Sequence, residues 1–153
     1  MVDSLRIRAA RPDDVEPLTA IRREAILTLS SDEVGGGRAR DWANSATPDR
    51  VCRAIEEHQV RVAEEAGQPV GWVEVERNRI EGMYVRPNHV RRGIGSALLV
   101  HAEERIRSAG HSTAELDASW NAEQFYINRG YEPLSERLPA GRPMVKHLAS
   151  EAS

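Results

Sequence analysis

The sequence predicts an α+β fold: a mixed, mostly antiparallel sheet with helices on both faces. Three observations predict it. Residues 59–86 hold three strand-like runs in succession, divided by turn residues, as an antiparallel meander requires. A glycine-bearing turn then opens an apolar-striped helix, and another strand-like run follows, so the strands on either side of that helix are joined by a crossover and lie parallel. Two short strand-like runs close the chain.

Each element has a local reason. Leu5-Arg6-Ile7-Arg8-Ala9 alternates as a half-buried strand does. Arg11-Pro12-Asp13-Asp14 places proline and acids where a helix begins, and Val15, Leu18, Ile21, Ala25 and Leu29 form its buried stripe. Ser31 to Ser45, with Gly35-Gly36-Gly37 inside it, is the one long irregular stretch. Thr47-Pro48-Asp49 starts a second helix that turns Val51, Cys52 and Ile55 inward. The three strands of the meander span Gln59 to Glu64, Val70 to Arg77 and Arg79 to Arg86. Gly67-Gln68-Pro69 joins the first two and a tight turn at Asn78 the last two. Ile94, Leu98, Ala102, Ile106 and Ala109 line the next helix, which has Arg107 in its last turn and Gly110 as its C-terminal cap. Thr113 to Ala118 is a strand. Asn121 is expected to cap a short helix, with Gln124 three residues on for the reciprocal bond, and that helix ends at Arg129-Gly130. Tyr131 to Leu134 and Pro143 to Leu148 are the final strands, separated by the turn-rich Ser135 to Arg142. Ala149 to Ser153 are expected to fray.

Composition narrows the function. A chain of 153 residues suits a single domain, 1–153, with a full core. The formal net charge of −3 argues against a nucleic-acid partner, which calls for a basic excess. The single Cys52 forms no internal disulfide and reads as a small core residue; Met1 is followed by no apolar run, so neither secretion nor a membrane span is expected and the cytoplasm is the default location. The five histidines lack the paired spacing of a zinc site, and no metal is assigned.

The chemistry concentrates at Val85-Arg86-Pro87-Asn88-His89-Val90-Arg91-Arg92-Gly93-Ile94-Gly95-Ser96, where a strand breaks at a proline and a basic glycine turn launches a helix. Backbone N–H groups at a helix start have no intrahelical partner and lie at the positive end of the peptide dipoles, so an anion placed there gains several hydrogen bonds at once. Gly93 and Gly95 let a ligand approach the bare backbone. The plainer alternative is a tight turn with solvated arginines. A dinucleotide fingerprint would need glycine where Leu98 stands, a P-loop would need Gly-Lys-Ser/Thr, and a serine hydrolase elbow would need Gly-x-Ser-x-Gly; the chain has none of these.

With its strand ending in Tyr84-Val85-x-Pro87, its basic loop and its Arg92-Gly93-x-Gly95 helix start, this segment resembles the pyrophosphate-binding signature of the GNAT acyltransferase superfamily. A second block, from Ala118 to Tyr131, resembles that family's Asn … Phe-Tyr-x-x-x-Gly-Phe/Tyr segment. The order of elements fits the GNAT acyl-CoA N-acyltransferase fold from Leu5 to Leu148.

The resemblance implies acetyl-CoA as co-substrate. The main chain of Met83, Tyr84 and Val85 would run beside the pantetheine and acetyl group, and Val90, Arg91, Arg92, Gly93, Ile94, Gly95 and Ser96 would hold the pyrophosphate. Val90 departs from the family's usual Gln or Arg at that position; the backbone donors survive the change. Tyr126 would act as general acid, a phenol whose proton affinity matches that of a departing thiolate. Asn121 would bond the pantetheine amide, or only cap its helix. Glu81, on the face of its strand that Met83 shares, is the candidate base, with Glu74, Glu76 and Asp117 as rivals. On the acceptor side, Trp42 either walls a pocket or anchors the core. The implied activity is N-acetylation of a primary amine on a small molecule; a protein or peptide acceptor and a non-catalytic CoA-binding module are the alternatives. Relatives of this kind are often homodimers.

Overall fold

The computed structural model describes residues 5–30, 47–89, 93–119, 122–139 and 141–148. Along the chain run β1 (Leu5–Ala9), α1 (Val15–Ser30, entered through a 3-10 turn at Pro12–Asp14), α2 (Pro48–Glu57), β2 (Gln59–Glu65), β3 (Gln68–Glu76) and β4 (Arg79–Val85). A 3-10 turn at Pro87–His89 leads on to α3 (Ile94–Ser108), β5 (Thr113–Ala118), α4 (Glu123–Ile127), β6 (Glu132–Pro133) and β7 (Arg142–His147). The strands form one seven-stranded sheet in the order β1-β2-β3-β4-β5-β7-β6. β4 and β5 are parallel, with Arg79 opposite Glu115. β1 with β2, β5 with β7 and β6 with β7 are antiparallel.

By backbone contacts the chain groups into two compact units, Met1–Glu74 with Gly82–Leu99, and Val75–Glu81 with Val100–Ser153. In the first unit β3 is buried along most of its length, as a strand covered on both faces must be. Neighbouring residues of a strand point to opposite faces, and here they meet different helices. Trp72 donates its indole N–H to the Leu18 carbonyl of α1 at 3.1 Å and sits in a core with Leu18, Ile21, Val51, Ala54, Val60 and Val62. Gly71, facing the other way, lies under Ile94 and Leu98 of α3.

Most of the expected starts and stops are where local chemistry puts them. Thr47 caps α2 by accepting from the Arg50 N–H, and Gly110, at φ 100°, ends the α3 turn in the left-handed region. Five expectations need correction. The β2–β3 turn falls on Ala66 and Gly67, both at positive φ, because a two-residue hairpin needs left-handed backbone; Gln68 and Pro69 already belong to β3. Ala54, rather than Cys52, fills the buried face of α2; Cys52 is half-buried, and desolvation together with Glu56 raises its thiol pKa. Ala109 is exposed just beyond the last turn of α3. The N-cap of α4 is Ala122, in helical backbone with no side-chain cap bond. The strand expected at Tyr131 to Leu134 shrinks to Glu132–Pro133 at the sheet edge, where a proline's missing N–H costs no ladder bond.

The entry to α1 is held by charge. Asp14 is buried and accepts from both Arg8 terminal nitrogens, at 2.8 and 2.9 Å, and from the Arg11 backbone N–H at 2.7 Å. The Arg8 guanidinium first, then the Arg11 N–H, hold its carboxyl below the usual 3.8 against the opposing effect of burial. A carboxyl depressed in the folded state stabilises the fold at pH values above its unfolded pKa. That contribution disappears as pH falls from there through the folded pKa. Asp14→Asn is therefore expected to cost about 1–3 kcal/mol at pH 7. Its melting-temperature deficit against wild type should shrink as pH is lowered below about 4, and a deficit independent of pH would show the charge to be irrelevant.

Candidate functional site

β4 carries the segment Met83-Tyr84-Val85, whose residues are each half-buried. Where the strand ends, Arg86 fastens the chain. Its N–H donates to Val70 O at 2.9 Å, its Nε to Pro69 O at 3.1 Å, and a terminal nitrogen pairs with Glu24 of α1 at 3.2 Å. Pro87 then starts a single 3-10 turn closed by the His89 N–H on Arg86 O at 2.8 Å. Beside this turn lies an open surface depression of about 440 Å³ bordered by Glu24, Leu27, Arg86, Pro87 and Asn88.

Gly93 opens α3. Its carbonyl takes the first helical bond, from the Ala97 N–H at 3.0 Å, and its φ of 80° is a conformation that a side chain would strain. A Cβ at Gly93 would meet no atom of the described residues within 4 Å, so the backbone there is bare on that side. Ile94 and Leu98 are buried behind it, and this fixes the helix start. The amides at Ile94 and Gly95 thus belong to the positive, N-terminal end of a 15-residue helix. Ser96 follows, half-buried. Val90, Arg91 and Arg92 lie outside the described residues, as do Asn121 and Trp42.

Two strand glycines escaped the sequence reading and shape this region. A Cβ on Gly71 would stand 2.9 Å from the Tyr84 carbonyl oxygen, 3.2 Å from Leu98 and 3.3 Å from Ile94, so its absence lets α3 settle onto the sheet. A Cβ on Gly82 would fall 2.7 Å from the Tyr84 hydroxyl, so the ring lies back along its own strand. The available signal was glycine inside a strand pattern, a mark of close approach. Arg22 was also missed. It follows Leu18 by four residues, so it sits on the buried stripe of α1, and it is only 5% exposed.

The second unit holds the other candidates. Glu81 is exposed and bound to Arg79 at 2.9 Å, and Arg79 also takes Asp117 at 2.5 Å. The same unit's Asn78 anchors β5: its carbonyl accepts the Glu115 N–H at 2.9 Å, and its amide donates to the Thr113 hydroxyl at 3.2 Å. Of the rival bases, Glu76 is exposed on its strand, while Glu74, in the first unit, sits 2.5 Å from His58 Nδ1.

Tyr126 is 8% exposed, with its ring edge-on to Phe125 and to Tyr131 at centroid distances of 5.1 and 5.6 Å. Tyr131 donates its hydroxyl to Glu103 at 2.8 Å; burial, then the Glu103 charge, drives its pKa far above the ordinary phenol value. Lys146 completes that group, 3.0 Å from Glu103. Glu123, at the start of α4, receives Arg137 at 2.5 Å and Arg142 at 3.3 Å, and these arginines hold its carboxyl below its usual range. The turn between β6 and β7 is thereby tied to α4.

Comparison with known proteins bears on what this arrangement is. The profile of the acetyltransferase (GNAT) domain matches residues 21–142. The chain is 29% identical over 136 residues to the uncharacterized N-acetyltransferase YafP of Escherichia coli K12, an alignment covering 89% of this chain and 87% of that protein. Among solved structures, a GCN5-related N-acetyltransferase from Rhodopseudomonas palustris superposes with a TM-score of 0.87 at 25% identity, over 95% of this chain and 96% of the other. The PaiA N-acetyltransferase of Thermoplasma acidophilum, solved in complex with coenzyme A, gives 0.84 at 18% identity, over 94% and 99%. The glycine-turn helix start, the mixed sheet and a family match across most of its length together show that this chain belongs to the GNAT acetyltransferase family.

Proposed function

We propose that the protein is an acetyl-CoA-dependent N-acetyltransferase acting on the primary amine of a small molecule. The observation that carries this reading is the bare backbone at Gly93, where no atom of the described residues would meet a Cβ within 4 Å, set at the amide-bearing end of α3, the next helix after β4. An anion of pyrophosphate size suits such a place, because bare backbone and helix-end N–H groups border it and no side chain among the described residues fills it. The coenzyme-bound relatives support the choice of ligand: PaiA was solved with coenzyme A, and YncA of Salmonella typhimurium, a putative acetyltransferase, with acetyl-CoA.

Acetyl-CoA would supply an activated acetyl thioester. The residues from Val90 to Ser96 would bind its diphosphate, with Arg91 and Arg92 adding positive charge, and the β4 backbone at Met83, Tyr84 and Val85 would align the pantetheine arm. Asn121 would bond the pantetheine amide. Tyr126 would give its phenolic proton to the thiolate that leaves when the amine nitrogen bonds the acetyl carbon. Glu81, which lies 2.9 Å from Arg79, would take the proton that the amine releases.

Calorimetric titration with acetyl-CoA is expected to saturate; no heat and no saturation with millimolar acetyl-CoA on folded protein would remove the coenzyme from the reading. Tyr126→Phe should bind acetyl-CoA as wild type does yet lose about 10²–10⁴-fold in turnover, the usual contribution of a positioned acid. Full turnover with an unchanged pH profile would take Tyr126 out of the mechanism. Thiol release measured with small amines and with peptides would separate the small-molecule acceptor from a protein one.

A further inference from the structure

Arg22 is charged and almost wholly enclosed. The side chain leaves α1 on the stripe that carries Leu18, Ile21 and Ala25 into the core, and 5% of the residue is exposed. Its Nε has no hydrogen-bond partner among the described residues, and none of their carboxylates forms an ion pair with it. What it does meet is an aromatic face: the guanidinium carbon lies 5.6 Å from the centre of the Tyr84 ring. Contact with a ring offsets only part of the cost of burying a guanidinium, and arginines enclosed in this way are normally paired with an anion.

The surroundings tell which side that anion would come from. Tyr84 is half-buried, so this part of β4 is within reach of solvent. Its ring folds back over Gly82 and packs against Trp72 at 5.0 Å, which leaves the ring held in place as a platform under the guanidinium. On the acetyltransferase reading above, on which this inference rests, Tyr84 belongs to the strand whose backbone borders the acetyl group. An anion seated on Arg22 would then be part of the molecule being acetylated.

We propose that Arg22 determines acceptor specificity by binding a carboxylate, and that the acceptor is accordingly an amine carrying a free carboxylate, of the amino-acid class. Guanidinium suits this ligand because its planar fork presents two parallel N–H donors to two carboxylate oxygens. Arg22 is enclosed over the Tyr84 ring, so little side-chain freedom is left to lose on binding. The other anion within the same reading is a phosphate of the coenzyme, and the experiment separates the two.

The test is calorimetric titration of the CoA-saturated protein with matched pairs of N-acetyl amino acids and their carboxamides, the side chains being small, aliphatic and aromatic. At least one carboxylate is expected to bind about 10–100-fold more tightly than its amide, the range of one charge-assisted contact. Arg22→Gln should bring the pair to equal affinity while leaving CoA affinity unchanged, and Arg22→Lys, which keeps the charge without the fork, should fall between. Equal binding of each pair by wild type, or no binding of any carboxylate, overturns the proposal. So does an Arg22→Gln protein that loses CoA affinity and keeps the carboxylate preference, since the anion would then be the coenzyme's. If Arg22→Gln does not fold, the wild-type comparison of acid with amide decides by itself. Failure of the acetyltransferase reading looks different: the initial CoA titration would itself show no saturation.

Discussion

Replacing Trp72 with alanine is expected to remove about 3–5 kcal/mol of stability, the usual cost of deleting a buried large aromatic. Domains of this size are commonly stable by about 5–15 kcal/mol, so the variant should sit near the edge of folding at 37 °C. The reason is the number of roles the side chain has. It is buried to 1% exposure among residues from α1, α2 and β2, it stacks against Tyr84, and its indole N–H is satisfied by a helix carbonyl. Trp72→Phe would keep the aromatic contact and lose the hydrogen bond along with some volume, so it should cost about 1–2 kcal/mol. Denaturant titration of the two variants measures both costs, and a loss below about 1 kcal/mol in the alanine variant would mean that the core around Trp72 closes up around the hole.

Gly71→Val is expected to harm both stability and coenzyme binding. Its first added carbon would stand 2.9 Å from a backbone oxygen, which cannot swing aside, and close to both Ile94 and Leu98. Overpacking of this kind costs about 1–3 kcal/mol. The strain falls on the first turn of α3, so the amides proposed to hold the diphosphate should shift with it. A 1 Å displacement of a preorganised site is enough to cost affinity, and we expect acetyl-CoA to bind at least about tenfold more weakly. Melting temperature and calorimetric affinity, measured on the same samples, check both halves. A variant with wild-type values for each would show that the β3–α3 contact tolerates slack.

The elements legible in the sequence are those written in local chemistry. Thr47-Pro48 marked a helix start through one hydroxyl and one fixed φ, and Thr113–Ala118 followed the helix that Gly110 caps. The parallel pairing of β4 with β5 followed from the crossover through α3, whatever the side chains. Gly93 was legible as a glycine in a basic turn before an apolar-striped helix, and the structure adds its φ of 80°. The misplaced details lie at element ends, where residue type alone leaves the boundary open by a residue or two. Asn121 is a good cap by type, yet α4 starts from Ala122. Ala109 continues an apolar stripe, but the helix has already ended beneath it.

Arg22, Gly71 and Glu123 mark the boundary most clearly. Helical periodicity places position 22 on the inward stripe, but it does not supply the Tyr84 ring, which comes from a strand about sixty residues away. A glycine between Val70 and Trp72 is compatible with any strand until α3 is laid across it. An acid early in a short helix reads as a favourable helix-dipole charge, and only the β6–β7 turn and the start of β7 reveal that it binds two arginines. By itself, then, the sequence determined the order of elements, the family signature and the helix start at the glycine turn, because caps, turns and alternation act within a few residues. The tertiary structure decided which charges are enclosed, which glycines are contact points and which acids are already paired, because those properties depend on surfaces brought together across the sheet.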